Sequence, residues 1–296
     1  MRLDQTRIAI IERRQPEILD AALMVVRKFF LPVVGLTLLL GIPFSFLNHW
    51  LVSWMADDMT EIASKARYVW AICLLTYVEA PLASALTTSY IGKAMFYEES
   101  TLLELLRRVA GLGLRLFWVH GIQRGVVIVV LLFAVTIASE EPTFAELSLP
   151  FICLPIFLLR SLRPYINEIL LLELSPLRTV AGEVSAGTRS QRLHGPHSGD
   201  LFGRSIGMIL VTTGLGFTIV GVLWFCMATL TNDWNWHYPM THFALPLALW
   251  MLVAYVTVFR FLSYLDLRIR LEGWEVELKI RAEANRLTER LRLGDA

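Results

Sequence analysis

The sequence predicts an all-α fold: a polytopic membrane protein of six transmembrane helices with amphipathic helices on its cytoplasmic surface. Three observations predict it. Hydrophobic residues make up 55% of the 296 and charged residues only 18%, a balance too apolar for an ordinary soluble domain. Several apolar runs approach the ~20 residues that a helix needs to cross a bilayer. The net charge is only +1, yet the 27 lysines and arginines are sorted by position. The N-terminus, the loops after the second and fourth runs and the C-terminal tail hold nearly all of them, while the loop after the first run holds only Lys65 and Arg67. By the positive-inside rule both termini are cytoplasmic.

Residues 1–28 form an N-terminal interfacial segment. Ile18, Leu19, Ala22, Val25 and Val26 recur at helical spacing, with Pro16 at the start and Arg27 and Lys28 at the end, which predicts a short helix lying on the membrane surface. Charge throughout this segment leaves no uninterrupted apolar core before Phe29, so no cleavable signal peptide is expected. Residues 29–264 form the six-helix transmembrane domain. Span one, about 29–52, is softened by Pro32, Gly35, Gly41 and Pro43, residues tolerated where neighbouring helices cover the backbone. Trp50, Trp54, Tyr68 and Trp70 bracket an acidic segment, as aromatic anchors do at one interface. Span two covers about 68–91, followed by an amphipathic surface stretch and by span three, about 118–138. Span three opens with Gly121 and Gly125 in a small-xxx-small spacing. Span four ends at Glu173. A Ser-, Gly-, Arg- and His-rich connection, 175–203, precedes span five, about 205–230, where Gly207, Gly214, Thr218 and Gly221 predict a close-packing stripe. Span six covers about 245–264, and residues 265–296 form a charged cytoplasmic C-terminal helix. Cys73, Cys153 and Cys226 all fall within spans, which indicates neither a disulfide frame nor a cysteine zinc site.

The fourth span, Phe151 to Glu173, carries Arg160, Arg163, Asn167 and Glu168 inside an apolar run. A charge at bilayer depth costs at least ~2.5–3.5 kcal/mol and is kept where it faces protein or water. Pro164 removes the amide that would bond the Arg160 carbonyl, so this helix is expected to be irregular there. At ~1.5 Å per residue, Glu79 and Arg160 come out level, ~17–18 Å from the outer face, and Arg124 and Arg163 level at ~21 Å. The expectation is a polar core of Glu79, Arg124, Arg160, Arg163 and Glu168, with Arg124 and Glu168 near enough to the inner face to snorkel. Two readings follow: buried pairs that fix which helices meet, or a site for an anionic head group or solute.

Catalytic chemistry is not indicated. HExxH, GxSxG, a phosphate-binding loop and a GxGxxG opening a helix are all missing. His194 and His197 flank a Gly-Pro pair, and Asp233, His237 and His242 lie in an outer loop; both sets read as solvated loop residues, so no metal and no cofactor is expected. Acidic residues interleave the basic tail, which argues against nucleic acid and for a helix stitched by pairs such as Glu275 with Lys279. In that tail Leu267, Leu271, Trp274 and Leu278 make one apolar stripe, and Ile280, Ala284, Leu287 and Leu291 a second one displaced around the helix. The first is expected to pack beneath the bundle near Leu102 to Leu106, and the second to dock a partner chain or another copy.

The segment RFLSYLDLRIRLEGWEVEL, 260–278, resembles the YxDLRxRxEGxDLE signature that closes a group of bacterial six-span proteins, the glycerophosphoryl diester phosphodiesterase membrane domain group. Tyr264, Asp266, Leu267, Arg268, Arg270, Glu272, Gly273 and Glu277 match it, whereas Trp274 and Val276 depart from it. The segments Gly92 to Leu106 and RPYINEILLLELSP are similar to planctomycete-type versions. The resemblance implies a bacterial inner-membrane protein and covers the membrane part alone: the soluble phosphodiesterase barrel needs roughly 200 further residues of α/β pattern, so no esterase activity is implied. Two functions are expected. The first is a non-enzymatic scaffold or assembly subunit of an envelope complex, in contact with the lipid bilayer and with other membrane proteins or a second copy. The alternative is a transporter or lipid- and anion-binding permease that uses the arginine-rich core.

Overall fold

The structure is a computed structural model and describes residues 12–56, 62–95, 98–138, 154–178, 184–236 and 238–272. Every regular element among the described residues is helical. Helix α1 (Gln15–Lys28) is followed by α2 (Phe30–Ala56), α3 (Ile62–Ala83), α4 (Ala85–Ala94) and α5 (Leu102–Leu116). A π-helical stretch (Phe117–Gln123) then leads into α6 (Val126–Ala138). The chain is helical again over 154–162, here α7. Helices α8 (Ile166–Leu171), α9 (Ala186–His194), α10 (Ser198–Thr231) and α11 (Leu245–Glu272) complete it.

Three helical segments are long and apolar enough to cross a membrane: Phe30–Met55, Ala186–Thr231 and Met240–Glu272. The count rises to five if each of two bent pairs is one span. Spans two and three, expected as single helices, are these bent pairs. Lys65–Ala83 and Ala85–Ala94 meet at 46°, and Leu102–Gln123 and Val126–Val135 at 59°. Each bend has a local cause. Pro81 cannot donate to the Tyr77 carbonyl, and the helix yields three residues later. Gly125 has φ +77°, a backbone state open to glycine at little cost; besides the bend, it admits the close helix contact expected of its small-xxx-small spacing, since a Cβ there would stand 2.8 Å from Ile156 Cδ1 of α7. Span four falls partly outside the described residues. Its described part breaks at 163–165, around Pro164.

Two apolar cores hold the bundle. One joins α1, the first turns of α2, α4, α5, α8, α9 and the middle and end of α11; the other joins the end of α2 to α3 and α6. Gly41 lets α11 approach α2: a Cβ there would stand 2.7 Å from the Trp250 indole, whose Nε1 donates to Ser45 Oγ at 2.7 Å.

Several expectations are corrected. Helix α1 is docked on the bundle rather than laid on the surface: Ile18 and Ala22 are buried in the core, and the Arg13 amide donates to Asp266 Oδ1 at 2.8 Å. Nothing interrupts α11 at residue 264, so the tail begins as a continuation of the last span. Leu267 enters the core shared with α1, while Leu102, Leu103 and Leu106 stay exposed. Leu271 is exposed, and Trp274, Leu278, Ile280 and Leu287 lie outside the described residues. The glycine stripe of α10 packs against nothing at Gly214 and Gly221. That face carries exposed Leu210, Phe217 and Phe225, as a lipid-facing helix does.

Candidate functional site

The breaks in the bent helices meet one another, and arginines fill the gaps they leave. A helix that loses an amide leaves a carbonyl without a donor, and such a group buried in an apolar setting must be satisfied from elsewhere. Arg160, from α7, donates to the carbonyls of Tyr77 and Val78 one turn before Pro81, with its guanidinium 4.7 Å from the Tyr77 ring centre. Asn167 Nδ2 donates to the Pro81 carbonyl at 3.1 Å. Across the α7–α8 break, Arg124 Nη2 donates to the Arg163 carbonyl at 2.6 Å and Arg260 Nη2 to the Pro164 carbonyl at 2.7 Å. The orphan amide at the start of α8 is met as well. Tyr165 N donates to His194 Nε2 at 3.3 Å, which places the ring proton on Nδ1, 2.7 Å from the Ser190 carbonyl oxygen. His194 is therefore a buried strut between α9 and the break rather than a solvated loop residue.

The five residues of the expected polar core divide between four settings. Glu79 is fully buried and accepts from Asn48 Nδ2 at 2.9 Å; its other oxygen has no hydrogen-bond partner. Arg160 reaches the backbone two residues before that glutamate instead of its carboxylate. Glu168 pairs with Arg260 at 2.9 Å. Arg124 is only 6% exposed, and its hydrogen bond goes to an uncharged carbonyl. The Arg163 side chain lies exposed. Arg260, Asn48 and His120 were missed by sequence reasoning. Arg260 carries the same signal as Arg160, a charge well inside an apolar run. His120 is fully buried in the π-helical stretch, beside Asn167.

Two hollows adjoin this layer. A cavity of about 90 Å³ is lined by Tyr77, Arg124, Arg160, Tyr165, Arg204 and Arg260, among others. A groove of about 640 Å³ opens between the α5–π-helical segment and α7–α9. Arg124 lines both.

The residues of the YxDLRxRxE signature close the other side of the layer as two latches. Asp266 takes Arg204 from α10 at 2.9 Å, Arg270 at 3.1 Å and the Arg13 amide at 2.8 Å. Glu173 accepts from the Tyr264 hydroxyl at 2.6 Å and from Arg189 at 2.7 and 2.9 Å. Arg189 and Arg268 in turn both pair with Glu272.

Fold and site together define an all-α protein, with apolar helices suited to a membrane, built around an arginine-capped polar layer. Comparison with protein-family models, curated proteins and solved structures gives no match.

Proposed function

We propose that this chain is a six-span protein of the bacterial cytoplasmic membrane, with both termini on the cytoplasmic face, and that its arginine-rich layer binds an anion, as in a lipid- or anion-binding permease. Parity supports the span count. Arg13 precedes the first apolar helix and Asp266 lies near the end of the last, yet the two share a hydrogen bond. An even number of crossings lies between them, and the broken segment ending in α8 supplies the sixth. One observation carries the anion reading: buried Arg124 caps a carbonyl and meets no carboxylate among the described residues. A layer serving only to join helices gains from neutral pairs, because an uncompensated buried charge is costly. An anion in the adjoining hollow offsets that cost.

The test is a thermal titration of the purified protein, in a neutral detergent, with inorganic phosphate and with a short-chain phosphatidate. A ligand held a hundredfold above its Kd stabilises the folded state by ~2.7 kcal/mol, a rise in the midpoint of several degrees. No rise with either, against chloride at equal ionic strength, sinks the reading.

The scaffold or assembly-subunit role is the second reading. It draws support from Leu271, exposed where α11 leads into the apolar stripes of the tail. Truncation after Leu278 removes the second stripe, Ile280 and Leu287 included. The truncated protein is expected to insert and stay folded but to lose co-purifying membrane proteins or its own oligomer. Unchanged association in detergent speaks against docking.

A further inference from the structure

We infer that the 640 Å³ groove between the α5–π-helical segment and α7–α9 is the seat for the phosphate of an anionic membrane lipid. This rests on the anion-binding reading above and names its ligand class. Arg115, Arg124, Arg163 and Arg178 all line the groove, and no aspartate or glutamate among the described residues does. None of the four meets a carboxylate within ion-pair distance among the described residues, whereas Arg189, Arg204, Arg260, Arg268 and Arg270 all do. Four guanidinium groups around one hollow repel each other, an anion between them relieves that repulsion, and a phosphate matches the guanidinium fork with paired, charge-assisted hydrogen bonds. Burial is graded along the groove. Arg163 and Arg178 are exposed at its mouth, Arg115 is half-buried and Arg124 is buried.

The rest of the lining separates a lipid from a free phosphate. Leu114, Trp118 and Leu159 line the same groove and are exposed at 83, 49 and 47%. A site for a small soluble anion gains nothing from such a border, whereas acyl chains leaving a head group lie along it. The ends of both walls, Leu114 and Arg115 on one side and Leu177, Arg178 and Ser190 on the other, belong to the arginine-rich connections after spans two and four, so the groove opens at the level of the cytoplasmic leaflet, where basic pockets between helices hold anionic head groups.

The experiment uses the full chain in phosphatidylcholine vesicles doped with phosphatidate, extracted gently and weighed with its retained lipids by native mass spectrometry. The wild type is expected to keep phosphatidate over phosphatidylcholine. Arg163→Gln with Arg178→Gln removes two exposed guanidinium groups that form no ion pair among the described residues, and the fold is expected to survive, as a single symmetric gel-filtration peak would show. Each lost charged contact corresponds to a weakening of at least ~10-fold. Arg107→Gln with Arg192→Gln changes the net charge equally at exposed positions outside the groove and is expected to keep the lipid; Arg163→Lys with Arg178→Lys is expected to restore part of it. Equal loss in both glutamine pairs, or none in the groove pair, overturns the site. Stabilisation by inorganic phosphate with no phosphatidate enrichment overturns the lipid assignment and leaves the anion reading standing, whereas a wild type that responds to neither removes both.

Discussion

Asn48 Nδ2 supplies the one hydrogen bond of the Glu79 carboxyl in the region where Leu51, Leu75 and Val78 form an apolar core. Among the described residues Glu79 Oε1 and Asn48 Oδ1 both lack hydrogen-bond partners, so the pair is satisfied there through a single contact. Removing one member of such a pair strands the other at ~1–3 kcal/mol, while replacing both with apolar groups of similar shape is nearly neutral. Asn48→Leu is therefore expected to lower the thermal midpoint. Glu79→Gln, which still accepts from Asn48, is expected to lower it less, and Asn48→Leu with Glu79→Leu to recover most of the loss. Should Glu79→Gln prove as damaging as Asn48→Leu, the carboxylate has a role beyond this contact. The burial of Glu79 agrees with its place inside an apolar run, and Arg160 does reach the turn that carries it. The partner of Glu79 was not legible in the sequence, because apolar and charged residues can be counted along a chain whereas carbonyls freed by a helix break cannot. Arg160 was read as seeking a carboxylate and meets backbone oxygens of the same helix turn instead.

Helix breaks decide how these elements meet. Pro164 announced one of them, since a missing amide is visible in the sequence. The π-helical stretch did not announce itself: FWVHGIQ keeps an apolar pattern that a straight helix would carry equally well. Gly125 is the contact surface its spacing predicts, against Ile156 of α7, and also a left-handed turn that the spacing does not announce, from which α6 departs at 59°. An alanine there pays ~1–2 kcal/mol for the backbone state, and its Cβ would lie 2.8 Å from Ile156 Cδ1. Gly111, inside α5 with open space around it, is the matched control, because alanine in place of a helical glycine stabilises by ~0.5–1 kcal/mol. Gly125→Ala should therefore unfold at a lower temperature than the wild type and Gly111→Ala at an equal or higher one. Equal midpoints for the two variants would mean that the 59° bend does not depend on this residue. The docking of α1 was not legible either, since a stripe such as Ile18 and Ala22 suits a lipid surface and a protein groove alike.

At the scale of the whole molecule, arginines that the sequence sorts to the two ends and to the connections after spans two and four tie one end of the bundle together in the structure. Arg204 and Arg270 converge on Asp266, while Arg189 and Arg268 converge on Glu272, so the signature residues of the last helix bind α9, α10 and the segment before α1 at one end of the bundle. That arrangement has a consequence for topology. Three or five crossings would carry the two ends of the apolar region to opposite faces, where Arg13 and Asp266 have no means of meeting; two, four or six keep them together. Among the even counts, six uses every apolar run, including the arginine-bearing one, and leaves the lysine- and arginine-free loop 139–150 outside. A reporter active only in the cytoplasm should therefore work when fused after Ala296 and also when fused before Met1, and fail when inserted between Ser139 and Glu146. Activity at one terminus alone would give an odd count and refute the parity argument. Activity at both termini and in the 139–146 loop would mean four crossings: one of the first three runs, as the bent third one could, and the segment ending in α8 would each enter the membrane and return on the same side.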